Sequence, residues 1–137
     1  MKTAIIIFLS TIMLSTMSQA DEYAVIANQK MKDLSTTQIK AIFLKKITVI
    51  EDINAVPVNL GARDPIREKF ETKIVGMNFE RLKSYWAKEH YLGKRPPVGM
   101  QSEESVKAFV KNVEGAIGYI NAKNLDNSVK VLYRWSE

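Results

Sequence analysis

VPVNLGARDPIREKF, residues Val56 to Phe70, joins an apolar strand to a basic helix through a short turn. The pattern predicts that Asp64 is the N-cap of the helix and that Pro65 takes its first position, where a missing N–H is harmless. A helix that begins directly after a strand points its free N–H groups beyond the strand end, where anions bind. Arg63 and Arg67 add positive charge there. The segment therefore fits a small-anion site, although most strand–turn–helix joints are purely structural.

The first twenty residues predict export from the cytoplasm. Lys2 supplies a short basic start, residues 4–13 form an apolar run, and residues 18–20 read SQA, a small-x-small cleavage motif. The apolar run is too short for a stable membrane span. We therefore expect a signal peptide over residues 1–20 and a soluble exported product, which in a Gram-negative cell is periplasmic.

The remaining chain, residues 21–137, has the length of one ordinary domain. The full sequence carries 20 basic and 15 acidic residues, and these charges are interspersed. A nucleic-acid interface needs a clustered basic face with interleaved aromatic residues, so we expect no nucleic-acid partner. The absence of cysteine excludes disulfide bonds and a lipid-anchored cysteine at the cleavage site.

Apolar periodicity predicts alternating strands and helices along residues 21–137. Four strands are expected, at Tyr23–Ala27, Val56–Leu60, Gly115–Ile120 and Val129–Trp135. Four helices are expected, one from Pro65 to Val75 and three that begin after the caps Ser35, Asn78 and Ser102. The order β-α-β-α-α-α-β-β predicts an α/β protein in which helices cover at least one face of a small sheet.

Three finer expectations concern the second half of the chain. The third helix is expected to bury an apolar side that comprises Phe79, Leu82, Tyr85 and Trp86. Residues 91–99 are expected to form a loop because Pro96 and Pro97 disfavour regular structure. The last strand is expected to present four residues on one face, namely Val129, Val131, Tyr133 and Trp135.

Residues typical of enzyme sites are scarce in this sequence. It has no cysteine nucleophile, no Walker-type phosphate loop and no serine in a nucleophile elbow. The single histidine, His90, falls at the end of a predicted helix, where the helix dipole favours a cation. Glu103 and Glu104 suit a helix start better than acid–base catalysis. Gly115 and Gly118 mark either a ligand approach or a close strand contact. We therefore expect no enzymatic activity, metal or cofactor.

Several segments also occur in a distinctive order. They are LSTTQIKAIF at 34–43, PVN at 57–59 with REKF at 67–70, YW at 85–86 with GKRPP at 93–97, and GAIGYI at 115–120. In this order they resemble the phosphate-type periplasmic substrate-binding proteins of ABC transporters. The resemblance implies a small mixed sheet flanked by helices, similar to one lobe of a type II periplasmic-binding-protein fold, in a single domain over residues 21–137.

The resemblance implies a ligand site at the joint after residue 58. We expect Asn59, Arg63 and Arg67 to contact phosphate or another small oxyanion, with backbone N–H groups from Ala62 and Ile66. Asp64 is expected either to orient Arg67 or to cap the helix. The family usually has Ser-Gly-Thr where this chain has Asp64-Pro65-Ile66, so two hydroxyl donors and one N–H are replaced and a negative charge is added.

Two functional interpretations remain open from the sequence. In the first, the exported chain binds a small oxyanion in connection with ABC-type uptake, with a permease as a partner. In the second, it is a single-lobe interaction module that binds an envelope protein and no small ligand. A concave, positively charged pocket at residues 59–67 would favour the first interpretation. Ion pairs between Asp64 and an arginine, beside an exposed apolar patch, would favour the second.

Overall fold

Seven strands and four α-helices make up residues 20–137, the part of the chain that the computed structural model describes. The strands are β1 Glu22–Ala27, β2 Val49–Ile50, β3 Ile53–Asn54, β4 Val56–Leu60, β5 Val98–Met100, β6 Ala116–Asn121 and β7 Lys130–Ser136. The helices are α1 Thr36–Phe43, α2 Pro65–Phe70, α3 Phe79–His90 and α4 Glu103–Asn112. A π-helical segment, Glu71–Val75, extends α2, and a 3-10 turn, Ala122–Asn124, follows β6. Except for Ala20, the predicted signal peptide lies outside the described residues.

Five of these strands form one mixed sheet in the order β5-β4-β6-β1-β7. Strand β4 runs parallel to both of its neighbours, β5 and β6, while β1 pairs antiparallel with β6 and β7. Strands β2 and β3 form a separate two-stranded hairpin that precedes β4. The predicted α/β class with a small mixed sheet is confirmed.

Helices cover both faces of the sheet, and the alternation along β6 shows which helix lies on which face. Tyr119 points to one face, where its ring stacks on Phe70 of α2 with the centroids 4.0 Å apart, and Phe43 of α1 packs beside them. Gly118 points to the opposite face, where Val106 of α4 packs against it. The core therefore consists of two layers on either side of β4, β6 and β1.

Local capping signals formed as the sequence predicts. Ser35 caps α1 in a reciprocal capping box with Gln38, in which each side chain accepts from the other residue's backbone N–H. Gly76 ends the helical segment after α2 in the left-handed conformation, with φ of 74°. Because these motifs use residues only a few positions apart, the sequence is sufficient to define them.

Three of the finer sequence predictions were wrong. Residues 98–100 form β5 and not a loop; β5 is an edge strand that needs pairing on one side only, so prolines just before it are tolerated. Phe79 is 64% exposed, although Leu82 one turn later is buried. The prediction failed here because periodicity identifies one side of a helix but does not show how far the core extends along that side. Strand β7 carries a bulge: Val25 pairs with Tyr133 but Ile26 pairs with Val131, which puts Val131 and Tyr133 on opposite faces.

Both glycines of the GAIGYI segment serve close packing. Gly115 has a φ of 85°, and a Cβ there would overlap the carbonyl oxygen of Asn54. A Cβ on Gly118 would lie 2.5 Å from a methyl group of Val106. The structure supports a close strand contact for Gly115, which lies against β3, whereas the nearest neighbour of Gly118 is Val106 of α4.

Candidate functional site

The predicted joint lies at the carboxyl end of β4, beside the edge strand β5. Leu60 is the last strand residue and pairs with Met100, and a turn stabilised by a hydrogen bond from the Asp64 N–H to the Gly61 carbonyl then leads into α2. The local order of strand, turn and helix is the predicted one. The four predicted ligand residues differ in exposure and in hydrogen-bond partners: Asn59, Arg63, Asp64 and Arg67.

Asn59 lies beneath the joint and is buried, with only 5% of its surface exposed. The Tyr119 hydroxyl donates to Asn59 Oδ1 over 3.0 Å and accepts from the Leu60 N–H over 3.1 Å. Burial raises the pKa of Tyr119 strongly, so its hydroxyl stays protonated and able to donate. The amide oxygen of Asn59 is thus engaged inside the protein, and the Asn59–Tyr119 contact fixes the end of β4.

Asp64 caps α2, which is one of the two roles expected from the sequence. Its Oδ1 accepts a hydrogen bond from the Ile66 N–H over 2.9 Å, and its backbone carbonyl accepts from the Arg67 N–H. The Ile66 N–H, expected to contact an anion, is therefore used by the cap. Within residues 20–137, Asp64 forms no ion pair with an arginine.

Arg67 folds back over the strand end instead of extending into solvent. Its Nη1 donates to the Leu60 carbonyl over 3.1 Å, and its Nε donates to Glu71 Oε1 over 3.3 Å. The side chains of Arg67 and Glu71 are only 21% and 16% exposed. Glu71 is not among the residues predicted from the sequence, although the spacing of four residues on a helix is the signal for such a pair.

The position of Glu71 disfavours the negative charge of its carboxyl group. Burial raises the pKa of its carboxyl above the ordinary value, and the charge and hydrogen bond of Arg67 lower it in part. Arg63, in contrast, is exposed and forms no ion pair with another described residue. Of the two predicted guanidinium groups, one is therefore held by a carboxylate and the other faces solvent.

A cavity of about 420 Å³ opens beside the turn. It is lined by Ala62, Glu68, Glu71, Thr72, Met77, Asn78, Phe79 and Glu80. Its three charged residues are all acidic, so this cavity disfavours anions. The exposed ring of Phe79 lies at its wall. Among the described residues, Arg63 and Arg67 contribute positive charge at the joint, and neither lines this cavity.

Other features of the described residues do not add a reactive centre. His90 is the last residue of α3, as predicted, and its ring lies 6.4 Å from that of Tyr91. Residues 20–137 contain no group of histidine or acidic side chains arranged to hold a metal ion. None of their helices combines the length and apolar character that crossing a bilayer requires.

Two solved structures share this architecture. An ABC-type phosphate transport receptor from Vibrio cholerae matches with a TM-score of 0.65 and 21% identity over 82% of this chain and 46% of its own. A phosphate ABC transporter substrate-binding protein from Clostridium perfringens, solved with bound phosphate, matches with a TM-score of 0.64 and 28% identity over 82% of this chain and 44% of its own. The fold resemblance to phosphate-type substrate-binding proteins is confirmed.

The chain spans less than half the length of either substrate-binding protein. The match therefore supports the predicted likeness to one lobe of a type II periplasmic-binding-protein fold. Both neighbours are described as transport proteins, and neither as an enzyme. No protein-family model and no curated protein sequence matches the chain significantly.

Proposed function

We propose that this chain is an exported solute-binding domain that binds a small oxyanion, such as phosphate, at the turn between β4 and α2. The main support for this proposal is the position of Arg67, whose guanidinium lies over the carboxyl end of β4. The fold around it is shared with phosphate receptors. Ligands of open α/β sheets bind at this end of the strands. The proposed ligand residues are Arg63 and Arg67, with Asn59 and Asp64 shaping the turn beneath them.

Arg67 retains donors for such a ligand. The contacts to Leu60 and Glu71 use one N–H of Nη1 and the N–H of Nε, which leaves the remaining guanidinium hydrogens available. Two carboxylates, those of Asp64 and Glu71, lie on either side of Arg67 in sequence and oppose an incoming anion. We therefore expect weaker binding than a closed two-lobed clamp would provide.

Isothermal titration of the purified protein with phosphate at low salt tests the proposal. Arg67→Ala should weaken binding by about 1–3 kcal/mol, because it removes charge-assisted hydrogen bonds. Arg134→Ala makes the same change of charge on β7, away from β4, and should leave the affinity close to that of the wild type. Equal binding by both variants would contradict the assignment of Arg67.

Export is part of the same proposal, with cleavage between Ala20 and Asp21 and an ABC permease as the partner for delivery. Cell fractionation followed by N-terminal sequencing of the mature protein tests it. A mature N-terminus at Asp21 in the periplasmic fraction is expected, and an intact Met1 in the cytoplasmic fraction would contradict it.

A second candidate function is an interaction module of the envelope without a small-molecule ligand. The ion pair of Arg67 with Glu71 and the buried amide of Asn59 favour it, because both groups already have partners inside the protein. The titration distinguishes the two functions. The absence of heat up to millimolar phosphate would favour this second candidate over oxyanion binding.

A further inference from the structure

We propose that Glu71 competes with the ligand for Arg67, so that the oxyanion site binds more tightly when Glu71 is protonated. This inference rests on the proposed function, since it describes how the same site is regulated. It assigns a role to a residue that does not contact the anion but controls the side chain that does.

The geometry of the ion pair supports direct competition. An oxyanion is recognised best by two parallel N–H groups on one edge of a guanidinium. Glu71 Oε1 accepts from Nε, so the Nε edge of the guanidinium is already engaged, while the Leu60 carbonyl uses one of the two hydrogens on Nη1. A bidentate anion on the Nε edge must displace the carboxylate. Because both side chains are mostly buried, solvent screens this competition less than it would at the surface.

The surroundings of Glu71 disfavour its negative charge. Arg67, on the same helical segment, is its only ion-pair partner among the described residues. Glu68 and Glu80 line the same cavity as Glu71, and this lining contains no basic residue. From β6, Tyr119 faces the pair as a neutral hydroxyl, and from α1, Lys40 extends its ammonium group towards Gly76 at the end of the π-helical segment. Protonation of Glu71 therefore relieves the cost of burying its negative charge.

The direction of the effect follows from the titration of this group. Burial raises the pKa of Glu71, so its carboxyl gains a proton at a higher pH than an exposed glutamate does. Below that pKa the carboxyl is neutral, and the charge of Glu71 no longer offsets that of Arg67. Oxyanion affinity is therefore expected to rise as the pH falls through the pKa of Glu71.

Sulfate is the suitable probe, because phosphate changes its own charge close to neutral pH whereas sulfate does not. Titrations at about pH 5 and about pH 7.5 should give roughly tenfold tighter binding to the wild type at the lower pH. Glu71→Gln should bind tightly at both values, since an amide is neutral throughout and preserves the shape of the side chain. Glu68→Gln is the matched control: it removes an exposed carboxylate from the same cavity and should retain the pH dependence of the wild type.

Each outcome decides a separate claim. Wild-type binding that is independent of pH, together with an unchanged affinity of Glu71→Gln, would overturn the competition and leave oxyanion binding intact. Loss of binding in a folded Glu71→Gln variant, checked by circular dichroism, would overturn it as well, because Glu71 would then hold Arg67 in its binding position. The absence of sulfate binding in every variant at both pH values would overturn the proposed function and this inference with it.

Discussion

Replacing Tyr119 by phenylalanine removes a single oxygen atom from the interior beneath the candidate site. That oxygen accepts from the Leu60 N–H and donates to Asn59 Oδ1, and both groups are buried. A buried polar group that loses its partner costs about 1–3 kcal/mol. With two such groups, we expect Tyr119→Phe to lower the free energy of unfolding by about 2–4 kcal/mol. The stacked contact with Phe70 is retained, so the loss measures the hydrogen bonds and not the ring packing.

Urea titration followed by circular dichroism measures this loss directly. Tyr133→Phe is the matched control, because Tyr133 is exposed on β7 and its hydroxyl makes no hydrogen bond to another described residue. We expect the control to change stability by less than about 0.5 kcal/mol. A similarly small effect of Tyr119→Phe would refute the reasoning, since it would mean that the end of β4 is not fixed by this hydroxyl.

Three further predictions concern the joint and its supports. Gly115→Ala should destabilise the protein by more than about 1 kcal/mol, because φ is positive and the new methyl group would overlap Asn54; thermal unfolding checks this against the wild type. Asp64→Ala should cost about 1 kcal/mol by removing the N-cap of α2, whereas Asp64→Asn should retain the cap and most of the stability; equal losses would argue against capping. Folding raises the pKa of Glu71, so the free energy of unfolding of the wild type, relative to that of Glu71→Gln, should fall as the pH rises from about 4.5 through the raised pKa. Urea titrations across this pH range measure both free energies. A difference between the two proteins that stays constant with pH would contradict the prediction.

Short-range signals in the sequence account for the part of the joint that was predicted correctly. Asp64 lies two residues before the N–H that it caps, and Pro65 lies next to it, so neither role depends on distant parts of the chain. Ser35 and Gln38 illustrate the same point in α1, where four consecutive residues contain the whole capping box. Such interactions form wherever the local segment adopts the helix, which explains why the elements and the α/β class followed from the pattern.

The surroundings of Asn59, in contrast, depend on a contact between distant segments. Asn59 was expected to face a ligand, but Tyr119, sixty residues later, engages its amide because β4 and β6 are neighbours in the sheet. Arg67 was expected to contact an oxyanion, which remains a prediction, and in the structure its guanidinium donates to the Leu60 carbonyl and to Glu71.

The sequence by itself determined the capped helices, the strand–turn–helix joint and the resemblance to phosphate-type substrate-binding proteins, because these depend on neighbouring residues and on the order of segments. Only the tertiary structure decided that residues 98–100 join the sheet, that Phe79 is exposed, and that the side chains of Arg67 and Glu71 are partly buried. Edge pairing, exposure and desolvation all depend on which segments lie against each other in space. No local pattern of residues specifies them.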